Sequence, residues 1–461
     1  RLNIQTSKSN IYAPYVELHT KTYDDLNHFN NSVEIKGNLF ESSVNLVDVA
    51  LFFPELEGIQ NNLQLKGKVS RKVNNLKIED LDLKFGKETH IKGDIYLPDF
   101  RNFSSSFLNE RLDYVYLNFN DLENLKFPKS IAEYEVKFSP ILKRLGYLEG
   151  KNIKLNGYAN EFVISAKKID SDLGSIEMNN GILFSKNSDN IYTFQQSSAS
   201  EYDVKINNFD LGTLIQNKSI GKIDGVFFFS GEAKDFENIN FSNIEGNLNH
   251  FDFEGYPYNN ITLSEGSLIN KVFQSKIDIN DDNLALKYDG FIDFNNGNRL
   301  VMSIDLSKAI LDNLNIGLNK ESSLSTKFNL DLKGNNFNSL KGTIKLEGLI
   351  YHEQNKIYKL PELSIYISRS ELIDKLEVTS NLGVLKVSGK IDFYTIVAEL
   401  QHHVSNLLPN ILEIKTDQKV LNSKNEFNYE ITFNELNKLL DVVYPVLKIA
   451  PNTKLKGIYS S

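Results

Sequence analysis

The sequence predicts a mainly β protein, an elongated array of antiparallel strands with a few short helices. Three observations predict it. First, large apolar residues fall at every second position in run after run. Asn283–Phe294 is the clearest, with Leu284, Leu286, Tyr288, Ile292 and Phe294 at one parity. A period of two marks a strand with one buried face. Second, a glycine recurs at the parity of the apolar residues, as Gly290 does here, which suits a bend, a bulge or the close approach of another layer. Third, the same phrase returns at Val33–Leu39, Leu63–Val69, Ile91–Leu97, Ile153–Ala159, Phe227–Ala233, Ile244–Leu248, Phe328–Gly334, Gly342–Gly348 and Val387–Phe393. The spacing is uneven, so this is a degenerate array of strand pairs and not an exact repeat.

In chain order, Arg1–Asn31 carries one alternating run, Tyr15–His19, and then a polar turn. Ser32–Leu97 is the first clear set of strands. Within it Val47, Leu51 and Phe52 have helical spacing and Pro54 ends the run, which predicts a short helix over Asn45–Pro54. Leu112–Phe127 alternates again. Ser139–Gly146 reads as a helix with Ser139 at the N-cap, Pro140 at the first helical position and Gly146 closing it. Strands resume over Lys151–Asp170 and Ser175–Phe184. Phe209–Gln216 reads as one helical turn, and Gly221–Phe294 is the densest strand region. Asn180-Gly181, Asp224-Gly225, Asp289-Gly290 and Asn296-Gly297 are hairpin signals, although Asp289-Gly290 lies inside a strand phrase. Arg299–Leu314 and Ser323–Glu347 continue the array. Helices are expected at Val397–Leu408, before Pro409, and at Asn434–Val446, where Leu436, Leu439, Leu440 and Val443 form a stripe. The chain is therefore expected to be one array over 1–461, with 397–461 its more helical end section.

Length alone suggests about three domains for 461 residues, but recurrence of one strand phrase argues for a single array in which each unit packs on its neighbours. An apolar share of 41% is enough for a core. No run approaches the ~18 apolar residues of a membrane span. Arg1 is not a start methionine and no signal peptide precedes it, so the expectation is an internal piece of a longer protein. A net charge of −9 opposes binding to nucleic acid or to an anionic membrane through charge. With no cysteine, disulfides and thiolate metal sites are excluded.

No catalytic or cofactor-binding motif stands out. None of the seven histidines lies in a His-Glu-x-x-His motif. His402 and His403 are adjacent on an expected helix and point about 100° apart, so they do not clamp one metal. There is no nucleophile elbow and no phosphate-binding glycine loop. Asp278, Asp281 and Asp282 crowd ahead of the Leu284 strand. An acid-rich turn is preferred there over a calcium site, because the calcium-binding nonapeptide of β-rolls is absent. The apolar face remains as the functional candidate. Its lining residues are Leu63, Leu65, Val69, Phe227, Phe229, Leu284, Leu286, Tyr288, Ile292, Phe328, Leu330, Leu332, Ile344, Leu346, Val387 and Ile391. Gly67, Gly93, Gly290 and Gly389 are expected to face the same way, inside the curve of the sheet, where a side chain would crowd the opposite wall. Such a face usually packs against a core; it is also what an open groove for apolar ligands requires.

Several phrases, in order, resemble the Bacteroidota branch of the TamB family, within the AsmA-like group of envelope proteins. They are Lys84–Gly93, Leu142–Gly157, Asn207–Gly212, Gly255–Ile261 and Asn280–Gly290. The resemblance covers most of Ser32–Ser461. It implies a long sheet folded lengthwise into an open, U-shaped trough, a β-taco, with an apolar lining. It implies a periplasmic location, an inner-membrane anchor upstream, and a C-terminal domain downstream that meets an outer-membrane barrel of the TamA kind. It also implies a part in outer-membrane assembly and in glycerophospholipid transfer, with acyl chains as the ligand. Two rivals from other classes are a structural spacer whose trough is filled by its own side chains, and a carbohydrate-active β-helix enzyme. The second would need paired carboxylates facing a cleft, and none stands out.

Overall fold

The computed structural model describes residues 1–49, 62–97, 107–123, 140–188, 191–196, 204–234, 238–295, 297–316, 321–371, 373–396, 399, 425–438, 440 and 447–460. The chain is mainly β, with 29 strands and a few short helices among these residues. Each described strand pairing is antiparallel. Two compact units divide the chain, Arg1–Pro257 and Tyr258–Ser461.

The second unit is a meander. Its eleven strands run from Ile261–Ile269 to Thr453–Ser460, and each pairs with the next in sequence. A short turn makes the first of these pairings. Asn270 and Lys271 both have positive φ, 50° and 63°, and join Ile269 directly to Val272. That is the backbone of a two-residue hairpin that matches strand twist, here without the glycine that usually marks it.

In the first unit Leu2–Gln5 pairs with Asn10–Ala13, and Asn10–Ala13 and Tyr15–His19 both pair with Glu34–Asn45; from there Asn62–Lys72, Leu76–Phe85, Thr89–Leu97, Phe107–Asn118 and Tyr147–Tyr158 pair in sequence. The sheet then forks. The first half of Tyr147–Tyr158 pairs with Lys168–Ser171, and its second half with Glu161–Ser165. One branch continues through Gly174–Met178 to Val204–Asp210. The other continues through Ile182–Lys186 to Tyr192–Gln196. Both rejoin on the long strand Ile220–Ala233, which pairs onward with Ile239–Phe253.

Local expectations meet the structure unevenly. The turn expected near Phe209–Gln216 is the helix Leu211–Ile215; Asp210 caps it by accepting from Thr213 N at 2.8 Å, and Gln216 ends it at φ 59°. Helices Leu46–Val49 and Pro140–Arg144 occupy the described parts of two expected ones. Most of Val397–Leu408 and part of Asn434–Val446 lie outside the described residues, as do Pro54, His402 and His403. The alternation expected through Phe127 stops earlier, because helix Phe119–Glu123 follows the strand. Its Asp121, 7% exposed, accepts from the backbone N–H of Lys87, Glu88 and Thr89 at 2.8–2.9 Å. Three hairpin signals are not hairpins, Asp289-Gly290 lying within strand Leu284–Asp293. Asp224-Gly225 lies within Ile220–Ala233, at a register shift, and Asn180-Gly181 carries the chain from one branch of the fork to the other. In both the glycine meets a close backbone: a Cβ would sit 2.7 Å from Asn247 O at Gly225 and 2.5 Å from Ile164 O at Gly181.

Candidate functional face

The alternation of the sequence becomes two unlike faces. In the second unit one row of cross-strand partners reads Gly290, Met302, Leu330, Ile344, Ile365, Val378, Leu385, Ile431 and Leu455. The row beside it reads Ile292, Leu300, Leu332, Gly342, Ile367, Leu376, Val387 and Tyr429. A third begins Ile277, Tyr288, Ile304, Phe328, Leu346 and Leu363. Antiparallel partners stand about 5 Å apart, so each row is a continuous apolar surface across the strands.

The other face is charged. Arg299–Asp331 at 3.0 Å, Lys327–Asp305 at 3.0 Å, Lys386–Glu377 at 3.4 Å and Lys287–Asp278 at 3.9 Å all join adjacent strands there. Asp281 sits in the turn before Leu284, where it accepts from Asn283 N at 2.9 Å and Asn259 N at 3.1 Å.

Burial separates the apolar face into two parts. Leu286, Tyr288, Ile292, Phe328, Leu330, Leu332, Ile344 and Leu346 are only half-buried. Leu284 is buried near one strand end. Val387 and Ile391 are buried as well, in a cluster with Ile396 and Phe427, and Ile391 lies just past its strand. The face is thus sealed around Val387 and partly open along Leu286–Leu346. Tyr288 Oη is buried without a hydrogen-bond partner among the described residues. Burial, and after it the charge of Asp289, raises its pKa above the usual phenol value.

The first unit has its own apolar face. Through the ladders, Leu65 continues to Leu83, Ile91, Val115, Gly150, Ile169, Ile176, Ile206, Gly225 and Leu248. Leu63 and Val69 share the parity of Leu65, and Phe227 and Phe229 that of Gly225; these four side chains are also half-buried. The sixteen candidate residues therefore form two sets, one in each unit. Within the fork the face is closed by Ala166, Met178 and Val204, which are 2%, 7% and 3% exposed. Beside them runs a chain of phenyl rings that the glycine phrase does not mark. Phe162, Phe184, Phe194 and Phe241 follow one another at centroid distances of 5.4–6.4 Å, with Phe229 6.1 Å from Phe194. Three of these rings lie in the short apolar runs Glu161–Ser165, Ile182–Lys186 and Tyr192–Gln196, the first two of which do not alternate.

The four candidate glycines meet the next strand. A Cβ would stand 2.2 Å from Arg111 O at Gly93, 2.3 Å from Val301 O at Gly290, 2.2 Å from Glu426 O at Gly389 and 3.2 Å from Glu79 O at Gly67. The crowding lies within the sheet, against neighbouring backbone. Gly93 and Gly389 also have φ of +144° and +153°, which side chains rarely adopt.

Among the described residues no group of acids and histidines is placed to hold a metal, and no helix is long and apolar enough to cross a membrane. Compared with family models, with curated proteins and with solved structures, the chain matches none.

Proposed function

We propose that the chain is a non-enzymatic segment that carries acyl chains along its apolar face. The observation that carries this reading is the run of large aliphatic and aromatic side chains, Leu286 to Leu346, left half-buried across four adjacent strands of the second unit. Such a surface gains about 25 cal/mol per Å² when apolar ligand covers it, and each acyl methylene removed from water contributes about 0.8 kcal/mol. The charged opposite face keeps the sheet solvated, so the apolar face is the one offered to ligand.

The ordered phrases that resemble the TamB family extend the proposal. In that reading the parent protein crosses the periplasm from an inner-membrane anchor, meets an outer-membrane barrel, and supports outer-membrane assembly and glycerophospholipid transfer. The trough form of the sheet belongs to this proposal. The spacer reading is favoured by one observation, the self-filled cluster of Val387, Ile391, Ile396 and Phe427. Photo-crosslinking residues at Leu286, Leu330 and Ile344 in the full chain separate the two. Capture of phospholipid from these positions, with none from positions on the charged face, is the expected result. Leu286→Arg is expected to keep the circular dichroism of the parent and to lose lipid capture. An unfolded Leu286→Arg protein together with no captured lipid makes the face a closed core and the spacer reading the better one.

A further inference from the structure

Arg369 follows strand Lys356–Ser368 and is 13% exposed at its side chain. One edge of its guanidinium is fully engaged. Nη1 donates to Asp374 Oδ2 at 2.5 Å and to the carbonyl of Ile391 at 2.9 Å. Phe393 lies under the group, with its ring centroid 4.1 Å from Cζ, a contact that fixes the plane of the guanidinium. On the other edge, Nε and Nη2 are both buried and neither has an acceptor among the described residues.

Those two nitrogens point two N–H groups in parallel, the fork that matches a pair of oxygens on a phosphate or carboxylate. Buried donors are almost always paired, and leaving a charged one unpaired is costly. The place of the fork is as specific as its shape. Asp374 shares the strand parity of Leu376 and Val378, on the apolar face. Phe393 and Ile391 belong to the cluster that seals that face around Val387. The fork therefore stands where the apolar surface ends at its rim. Asp374 offsets the charge of Arg369 from the far side, so what the free edge offers is two-point hydrogen bonding more than net positive charge.

We propose that the Nε–Nη2 edge of Arg369 is an oxyanion site that receives the phosphate or carboxylate group of an amphiphile whose chain lies on the apolar face. The proposal rests on the acyl-chain reading above and adds the headgroup chemistry to it. The test titrates the full chain by calorimetry with dodecyl phosphate, with 1-dodecanol and with inorganic phosphate. Dodecyl phosphate is expected to bind on the order of tenfold or more tightly than dodecanol. Arg369→Lys keeps the charge and loses the fork; it is expected to abolish that preference while leaving dodecanol affinity unchanged. Because a variant at a buried position can fail to fold, the preference is also read in the unaltered protein, where it needs no substitution. Equal affinity of the unaltered protein for the two amphiphiles overturns the site and leaves the acyl-chain reading standing. A folded Arg369→Lys protein that keeps the preference overturns it too. Binding of neither amphiphile overturns the acyl-chain reading and this proposal together. Inorganic phosphate that binds as tightly as dodecyl phosphate upholds the fork and makes its ligand a free anion in place of a headgroup.

Discussion

The fork of the first unit and the meander of the second are built from the same alternating pattern and end up covered differently. In the meander, strands such as Leu284–Asp293, Arg299–Ile310 and Ser322–Lys333 are long and pair along most of their length, each ladder carrying one register shift near its end. Their apolar rows run across the strands, and Leu330 and Ile344 stay half-buried. In the fork, two short strands replace each long one. The chain must pass between branches at Ala166 and at Asn180-Gly181, and the side chains at those crossings close on one another, leaving Ala166 and Val204 almost unexposed. Gln196, 4% exposed, ties the seam by donating Nε2 to Phe227 O at 2.8 Å. In the fork the crossings between short strands seal the apolar face, and in the meander it is sealed where Ile391 and Ile396 pack over Val387.

The sharpest test of that difference is a charge placed in each region. Val204→Asp buries an uncompensated carboxylate at a dry seam and is expected to cost about 3–5 kcal/mol in denaturant unfolding. Leu286→Arg, at a half-buried site that solvent reaches, is expected to cost less than half as much. Equal losses would remove the distinction between sealed and open faces.

Backbone approach should matter in both regions. Gly290→Val presses a side chain against Val301 O and Met302, and about 1–3 kcal/mol of destabilisation is expected from overpacking. Gly389→Val adds the strain of φ +153° and should lie at or above the top of that range. Thermal melts of both variants rank them; a neutral Gly389→Val would mean that the strand Glu426–Phe433 moves away freely.

The two units should also differ in their response to pH. Burial alone would raise the Asp121 pKa, but the N–H groups of Lys87, Glu88 and Thr89 hold it below the usual carboxylate value. The stability it contributes is present above its unfolded value of about 3.9 and is lost as pH falls through the lower folded value. In the meander, burial first and a hydrogen bond to Glu399 second push Tyr459 up to about 12. Its contribution is complete below about 10, the unfolded phenol value, and is lost as pH rises towards 12. Asp121→Asn should flatten the acid limb of the stability curve, and Tyr459→Phe the alkaline limb. An unchanged limb in either variant removes that residue from the account.

The smallest effect is expected on the charged face. Arg299 and Asp331 are about half exposed, so Arg299→Ala should cost no more than about 1 kcal/mol. A larger loss would mean that the polar face is covered in the protein.

The sequence by itself determined the class of the fold and the sidedness of its strands. Period-two alternation is a local property, and it survives in Leu284–Asp293 and Ser322–Lys333 residue for residue, because each strand's neighbours only need to match its pleat. The helix at Leu211–Ile215 was legible for the same reason, since its cap is local. What the tertiary structure decided is pairing and cover. Asp224-Gly225 has the chemistry of a turn, yet its glycine serves the approach of Leu248 within a ladder. The fork depends on partners up to 41 residues apart in sequence (Tyr192 with Ala233), such as Tyr147–Tyr158 with its branches and Ile220–Ala233 where they rejoin, and no local period records them. Exposure follows the same rule. Val387 and Leu330 look alike in the sequence, and only the segment that packs over Val387, bringing Ile391 and Ile396 against it, makes one a core residue and leaves the other on an open face.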